Sequence, residues 1–173
     1  MIPKKNSITI RRVIQGPFTP KRFFVTSGKA VSSISNLNAF DTALWRAGIA
    51  QCNLVSVSSI LPAEAKEVSP FPITPGTITF AVLSRMDGLA GQTICAGIAW
   101  GWTMNGEGLG YGLVAEDHGY KSEEALRLEL RLKLREMAEV RGVKLTDEKF
   151  RIEHLKVPEK RYGCVLTALV YDI

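Results

Sequence analysis

The sequence predicts an α+β fold, and three observations carry that prediction. Short alternating or β-branched runs outnumber helical stretches, and only two segments, one short and one long, have helical spacing or composition. Their order is strand, strand, helix, strand, then several strands, a long helix and two final strands. Few helices set among many strands imply layers, here an α/β/β/α sandwich of mainly antiparallel sheets with one short and one long helix. A chain of 173 residues suits one domain and can bury a core.

Residues 7–14 (Ser-Ile-Thr-Ile-Arg-Arg-Val-Ile) read as a first strand, broken by Gly16-Pro17 and Thr19-Pro20. Arg22 to Thr26 is a second strand, closed by Ser27-Gly28-Lys29. That Gly-Lys pair is no phosphate loop, because Phe23 stands where the first glycine of such a loop belongs. Asn38 can cap a helix over residues 39–47 that Gly48 ends, with Phe40, Ala43, Leu44 and Ala47 on its core face. A strand then runs from Asn53 to Leu61, and Pro70, Pro72 and Pro75-Gly76 mark a loop. Thr77 to Ser84 is a strand with a turn at Asp87-Gly88, and Thr93 to Trp100 is a long buried one.

Gly106, Gly108, Gly110 and Gly112 predict a turn into the strand Leu113 to Glu116. Their spacing, with a strand following instead of a helix, excludes a dinucleotide-binding fingerprint. From Ser122 to Arg141, Leu126, Leu128, Leu130, Leu132 and Leu134 alternate as a strand would. The Leu/Glu/Arg/Lys/Ala composition, an N-cap at Ser122 and Gly142 at the other end decide for a helix. Leu126, Leu130, Leu134 and Met137 then share one face while Leu128 and Leu132 lie opposite, a second apolar strip that points to a subunit contact. Phe150 to Val157 and the apolar, central Cys164 to Tyr171 are the last strands.

The formal charge of +5 and 23% charged residues leave no basic patch. The densest cations, Arg127, Arg131, Lys133 and Arg135, alternate with Glu129 and Glu136 as on a solvated helix face, which argues against nucleic acid. No apolar run is long enough to span a membrane, and the N-terminus lacks the apolar stretch of a signal peptide, so a cytoplasmic protein is expected. Cys52, Cys95 and Cys164 form no CxxC and no disulfide framework; Cys52 alone lies on the strand that leads to Ser59. Glu116, Asp117 and His118 are consecutive and point to alternate faces of a strand, so no metal site is expected. No serine sits in a nucleophile elbow.

The chemistry concentrates in Gln51 to Pro62, where Ser58-Ser59 ends a β-branched run. Serine pairs commonly serve loops and backbone hydrogen bonds. They also hold another option: the Ser59 hydroxyl can attack the Ser58 carbonyl, converting amide to ester. β-Elimination then cuts the chain, and hydrolysis leaves a pyruvoyl group at the new N-terminus.

Leu37-Asn38-Ala39-Phe40-Asp41, Ala47-Gly48-Ile49, Asn53-Leu54 and Ser58-Ser59-Ile60-Leu61-Pro62 resemble, in order and spacing, the pyruvoyl-dependent arginine decarboxylases. The resemblance implies self-cleavage into residues 1–58 and 59–173 and a covalent pyruvoyl derived from Ser59, with no external cofactor. It also implies a Schiff base to the amino-acid substrate and conversion of L-arginine to agmatine and CO2, as in polyamine biosynthesis. Glu116, in the context Gly112-Leu113-Val114-Ala115-Glu116, would be the proton donor; alone it reads as a solvated strand end. Asn53 would assist cleavage by polarising the Ser58 carbonyl. Asp41 would read the guanidinium, with Leu37, Leu44 and Ile60 along the aliphatic part. Such enzymes are homo-oligomers, trimers or dimers of trimers, with the site between subunits. Ala50-Gln51 replaces the family's Gly-Asn, and the added methyl narrows the expected pocket. The same chemistry on histidine, aspartate or ornithine, and an uncleaved oligomeric binding protein, stand as alternatives.

Overall fold

The computed structural model describes residue 16 and residues 18–105 and 108–172, so the strand expected at 7–14 lies outside the described residues. Eleven elements follow in order: β1 (Arg22–Ser32), α1 (Asn36–Arg46), β2 (Asn53–Ser56), β3 (Ile60–Leu61), β4 (Lys66–Glu67), β5 (Ile78–Leu89), β6 (Thr93–Asn105), β7 (Gly108–Gly119), α2 (Glu123–Val140), β8 (Lys144–Lys156) and β9 (Tyr162–Asp172). One sheet has five strands in the order β2-β5-β9-β1-β4; the other has four, β3-β7-β6-β8. Among the described residues, only the β1–β4 and β2–β5 pairings are parallel.

Alternation along β9 builds the layers, since successive side chains point to opposite faces. Cys164, Leu166, Ala168 and Val170 pack with Ala39, Ala43 and Ala47 beneath α1. Leu169 and Tyr171 face the other way, joining Phe23, Val82, Ile98, Trp100 and Val114 in the core between the sheets. On the far side, Leu126, Leu130, Leu134 and Ala138 of α2 cover Cys95, Ala99, Leu113 and Ala115. The α/β/β/α sandwich is therefore the observed architecture, with β9 central in its sheet.

Several boundaries differ from the expectation, each for a local reason. β1 continues through Gly28, where a Cβ would stand 2.0 Å from the Ala43 carbonyl oxygen, because α1 lies almost on the strand. The cap of α1 is Ser35, whose Oγ accepts from the Asn38 N–H, so the helix begins earlier; Gly48 ends it at φ 76°. β5 runs past Asp87-Gly88, and the turn comes later at Gly91, also with positive φ. Gly106 lies outside the described residues, whereas Gly108, Gly110 and Gly112 are strand: a Cβ on Gly112 would approach the Leu61 Cβ to 2.9 Å, so absent side chains let β3 and β7 close up. β8 begins at Lys144, before Phe150. α2 matches its expected span, capped by Ser122, and Leu128 and Leu132 are exposed on its outer face.

The segment read as one strand, Asn53 to Leu61, is two strands in two sheets. β2 pairs with β5 and β3 with β7.

Because the α1 backbone blocks the Gly28 Cβ position, Gly28→Ala should be destabilising by about 1–3 kcal/mol through overpacking. Urea unfolding should show a lower midpoint at an unchanged slope.

Candidate active site

Residues Val57, Ser58 and Ser59 carry the chain from one sheet to the other. On the near side the Val57 N–H donates to the Ala81 carbonyl (3.1 Å), extending the β2–β5 pairing by one bond. On the far side the Val114 N–H donates to the Ser59 carbonyl (3.0 Å), next to the Ile60–Leu113 pair. Between these anchors the Ile60 N–H donates back to the Ser58 carbonyl at 3.2 Å, a tight turn about Ser59. A backbone N–H thus donates to the Ser58 carbonyl.

Glu116 follows Val114 by two residues, so both leave β7 on the same face. Val114 fills the inter-sheet core, and Glu116 emerges where that core opens. There the Ser59 Oγ donates to Glu116 Oε2 at 3.0 Å, joining residues 57 positions apart. A hydroxyl on a carboxylate is a nucleophile beside a proton acceptor, the pairing that activation of serine requires.

The pair opens onto a cavity of about 430 Å³, whose opposite wall is the C-terminal part of α2: Lys133, Glu136, Met137, Val140 and Arg141. A second cavity, about 270 Å³, lies on the other side of the turn, lined by Ser58, Ile60, Val57, Phe18, Phe80 and Tyr171 among others. Ser59 and Ser58 therefore face different surroundings.

Charge around Glu116 is arranged by its neighbour. Asp117 turns the other way and meets Lys133 Nζ (3.1 Å) and Lys121 Nζ (3.2 Å); Lys121 also pairs with Glu129. Burial pushes the Asp117 carboxyl up, but its contacts with Glu129, Lys133, the His118 N–H and Lys121 outweigh that and hold it at about 2. The Lys133 ammonium at the cavity wall is thus matched by Asp117. Among the described residues, no three His, Cys, Asp or Glu side chains gather where a metal could be held. Cys95 and Cys164 are buried, and burial pushes their thiols up to about 11 and about 12; Cys52 lines neither cavity.

The remaining expected site residues are distributed. Asn53 opens β2, and its Nδ2 donates to the Gly76 carbonyl (2.9 Å), tying the strand to the turn that leads into β5; the amide has one more hydrogen to offer. Ile60 lines the second cavity. Leu37, Asp41 and Leu44 lie on α1, outside both cavities: Leu37 is 71% exposed, Asp41 is exposed and Leu44 packs against the sheet. The α2 wall and Tyr171 were not expected at the site. A phenol closing an apolar strand was the one available signal for Tyr171.

Residues 22–172 match the family model described as pyruvoyl-dependent arginine decarboxylase. A protein of that name from Methanopyrus kandleri is 33% identical over 154 residues, covering 88% of this chain and 97% of the relative. Its namesake from Methanothermobacter thermautotrophicus is 34% identical over 149 residues, covering 85% and 93%. The Pyrococcus abyssi protein of the same name is 31% identical over 156 residues, covering 88% and 96%.

A folded-state Asp117 value below the unfolded one, about 3.9, contributes stability that is full above that pH and is lost as the pH falls towards 2. Asp117→Asn should therefore unfold at lower urea than the wild type at pH 7. The gap should close as pH is lowered from about 4 to about 2.

Proposed function

The chain belongs to the pyruvoyl-dependent arginine decarboxylase family, and on that premise we propose that it cuts itself between Ser58 and Ser59 and then converts L-arginine to agmatine and CO2. Membership makes it a carbon–carbon lyase whose prosthetic group is a covalent pyruvoyl, with no external cofactor. The observation that carries the reading is the Ser59 Oγ–Glu116 contact of 3.0 Å at the sheet crossing. A serine that must lose a proton to become a nucleophile sits on a carboxylate, which fits Ser59 as the source of the group.

In the self-cleavage, the Ser59 Oγ bonds to the Ser58 carbonyl carbon while its proton passes to Glu116. The Ile60 N–H faces the oxygen on which charge develops, and Asn53 supports the step from β2. The C–N bond breaks, the Ser59 nitrogen takes up a proton as an amine, and Ser58 becomes an ester. Loss of the Ser59 α-proton expels the Ser58 carboxylate; the resulting alkene adds water and releases ammonia, leaving the ketone. Residues 1–58 and 59–173 are the two products.

When present, the pyruvoyl ketone supplies the electrophile for the substrate amine and the sink for the electrons that CO2 leaves behind. Glu116 would hold a proton on its carboxyl and deliver it to the substrate carbon. Val114, Met137 and Val140 give the cavity an apolar side beside that carboxyl, and Lys133, Glu136 and Arg141 a polar one. Asp41 would read the guanidinium, with Leu37 and Leu44 beside it and Ile60 on the catalytic copy. Since α1 contributes nothing to either cavity of its own chain, these residues would arrive from a neighbouring copy, in a trimer or dimer of trimers. The exposed Leu37 and Trp45 on α1 suit such a contact. A cytoplasmic setting suits the three free thiols.

Intact mass of the purified protein should show two species, 1–58 and 59–173, and Ser59→Ala should show only the full chain and release no CO2. A single unbroken species that still turns over would refute the cut and favour an unprocessed protein. Asp41→Ala should lower kcat/KM for arginine about ten- to a hundred-fold, the value of one charge-assisted contact of about 1.5–3 kcal/mol. Unchanged arginine kinetics would redirect the assignment to histidine, aspartate or ornithine.

A further inference from the structure

β3 is only two residues long and forms the edge of its sheet. In an antiparallel pair, residues alternate between those bonded to the partner strand and those whose N–H and C=O point away from it. Ser59 is of the first kind, since its carbonyl accepts from Val114. Ile60 is of the second: its N–H turns back to the Ser58 carbonyl, and its carbonyl points away from β7. Among the described residues, no strand of its own sheet stands on that side. The group that takes the Ile60 carbonyl is the Tyr171 hydroxyl, which donates to it at 3.0 Å from β9, the central strand of the opposite sheet.

Planarity gives this single bond leverage over the turn. A peptide group is rigid, so holding its oxygen or its N–H holds the whole plane. The plane between Ser59 and Ile60 is held at both ends, by Val114 on the oxygen and by Ser58 on the N–H. The plane between Ile60 and Leu61 is held by Tyr171. Fixing both planes around Ile60 fixes its two backbone dihedrals, and with them the aim of its N–H at the Ser58 carbonyl. Tyr171 itself is 7% exposed and packed with Phe23, Leu61 and Leu169.

We infer that Tyr171 is a positioning residue for the Ser58–Ser59 turn: by holding the Ile60 carbonyl it sets the geometry in which Ser59 meets the Ser58 carbonyl and Glu116. The inference rests on the self-cleavage reading of that turn. Burial pushes the phenol up to about 12, so it remains a donor throughout the pH range in which the protein would work. After the cut the same bond would tether the new N-terminal segment, residues 59–61, to the opposite sheet.

The test compares wild type and Tyr171→Phe, which keeps the ring and removes only the hydroxyl. Conversion of freshly translated precursor is followed by intact mass against time. Tyr171→Phe should cleave on the order of ten- to a hundred-fold more slowly, the cost of a nucleophile loosely held. Its melting midpoint should stay within about 4 °C of wild type, because Ile60 is half-open to water that can replace the lost donor. In fully cleaved material kcat for arginine should fall while KM stays within about twofold, since Tyr171 positions the reacting end and not the substrate. Replacing Tyr171 by 3-fluorotyrosine, which retains the hydroxyl, should restore the wild-type cleavage rate; failure to do so overturns the inference, as does wild-type cleavage by Tyr171→Phe. If the wild type itself stays whole, the cut is refuted and the positioning role goes with it.

Discussion

The passage of three residues between two sheets is the constraint on which the rest of the molecule depends. β2 is committed to the first sheet through β5, and β3 to the second through β7, so Val57–Ser59 must bridge whatever gap the core imposes. That gap is set by Phe23, Leu61, Val82, Ile98, Trp100, Val114 and Leu169, packed at interior density. A bridge this short has little freedom, and the turn about Ser59 is what remains when both ends are bonded. The same arrangement explains how a chain could be cut there without coming apart. Each side of the Ser58–Ser59 bond is held by its own sheet, and the sheets are joined by side-chain packing that does not involve that bond.

The helices take different parts in this scheme. α1 packs on the outer face of the first sheet so closely that only glycine fits at position 28, and its exposed edge carries Asp41 outside both cavities at the serine pair of its own chain. α2 covers the second sheet with Leu126, Leu130 and Leu134 while its last turns wall the cavity at Glu116. A helix that serves core and cavity at once must carry charge near a carboxylate, and Asp117 resolves this by engaging Lys133 and Lys121 on the opposite side of β7. Glu116 and Asp117, adjacent in the chain, thus meet different fields because a strand turns neighbours apart.

Much of the layering was legible in the sequence, because burial period and composition are local properties. α2 is the clearest case: its leucines alternate as in a strand, yet helix-forming residues and the Ser122 cap decided correctly. The glycines of β7 misled, because glycine ordinarily marks a turn and here marks close approach by Leu61 and Thr103, which no local pattern encodes. Nor could spacing reveal that Asn53 to Leu61 divides between sheets, since partner choice belongs to β5 and β7. At the site, Ser59 and Glu116 were singled out from motif context, and the structure brings them together. The α2 wall and Tyr171 stayed hidden because their part depends on which face meets which cavity.

The cavity around Ser58 has an electrostatic consequence. Its walls among the described residues are Phe18, Pro20, Val57, Ile60, Pro62, Phe80 and Tyr171, none of them cationic. Under the proposed cut Ser58 ends in a carboxylate, whereas the new front of the other fragment is an uncharged ketone, so the formal charge of +5 drops by one. An anion is poorly solvated against such apolar walls and is driven towards water. Parting of the two new ends, with the fragments still held by their sheets, would then be favoured by hydration: the liberated carboxylate would withdraw, the ends would not readily rejoin, and the vacated space would become an apolar berth next to the ketone.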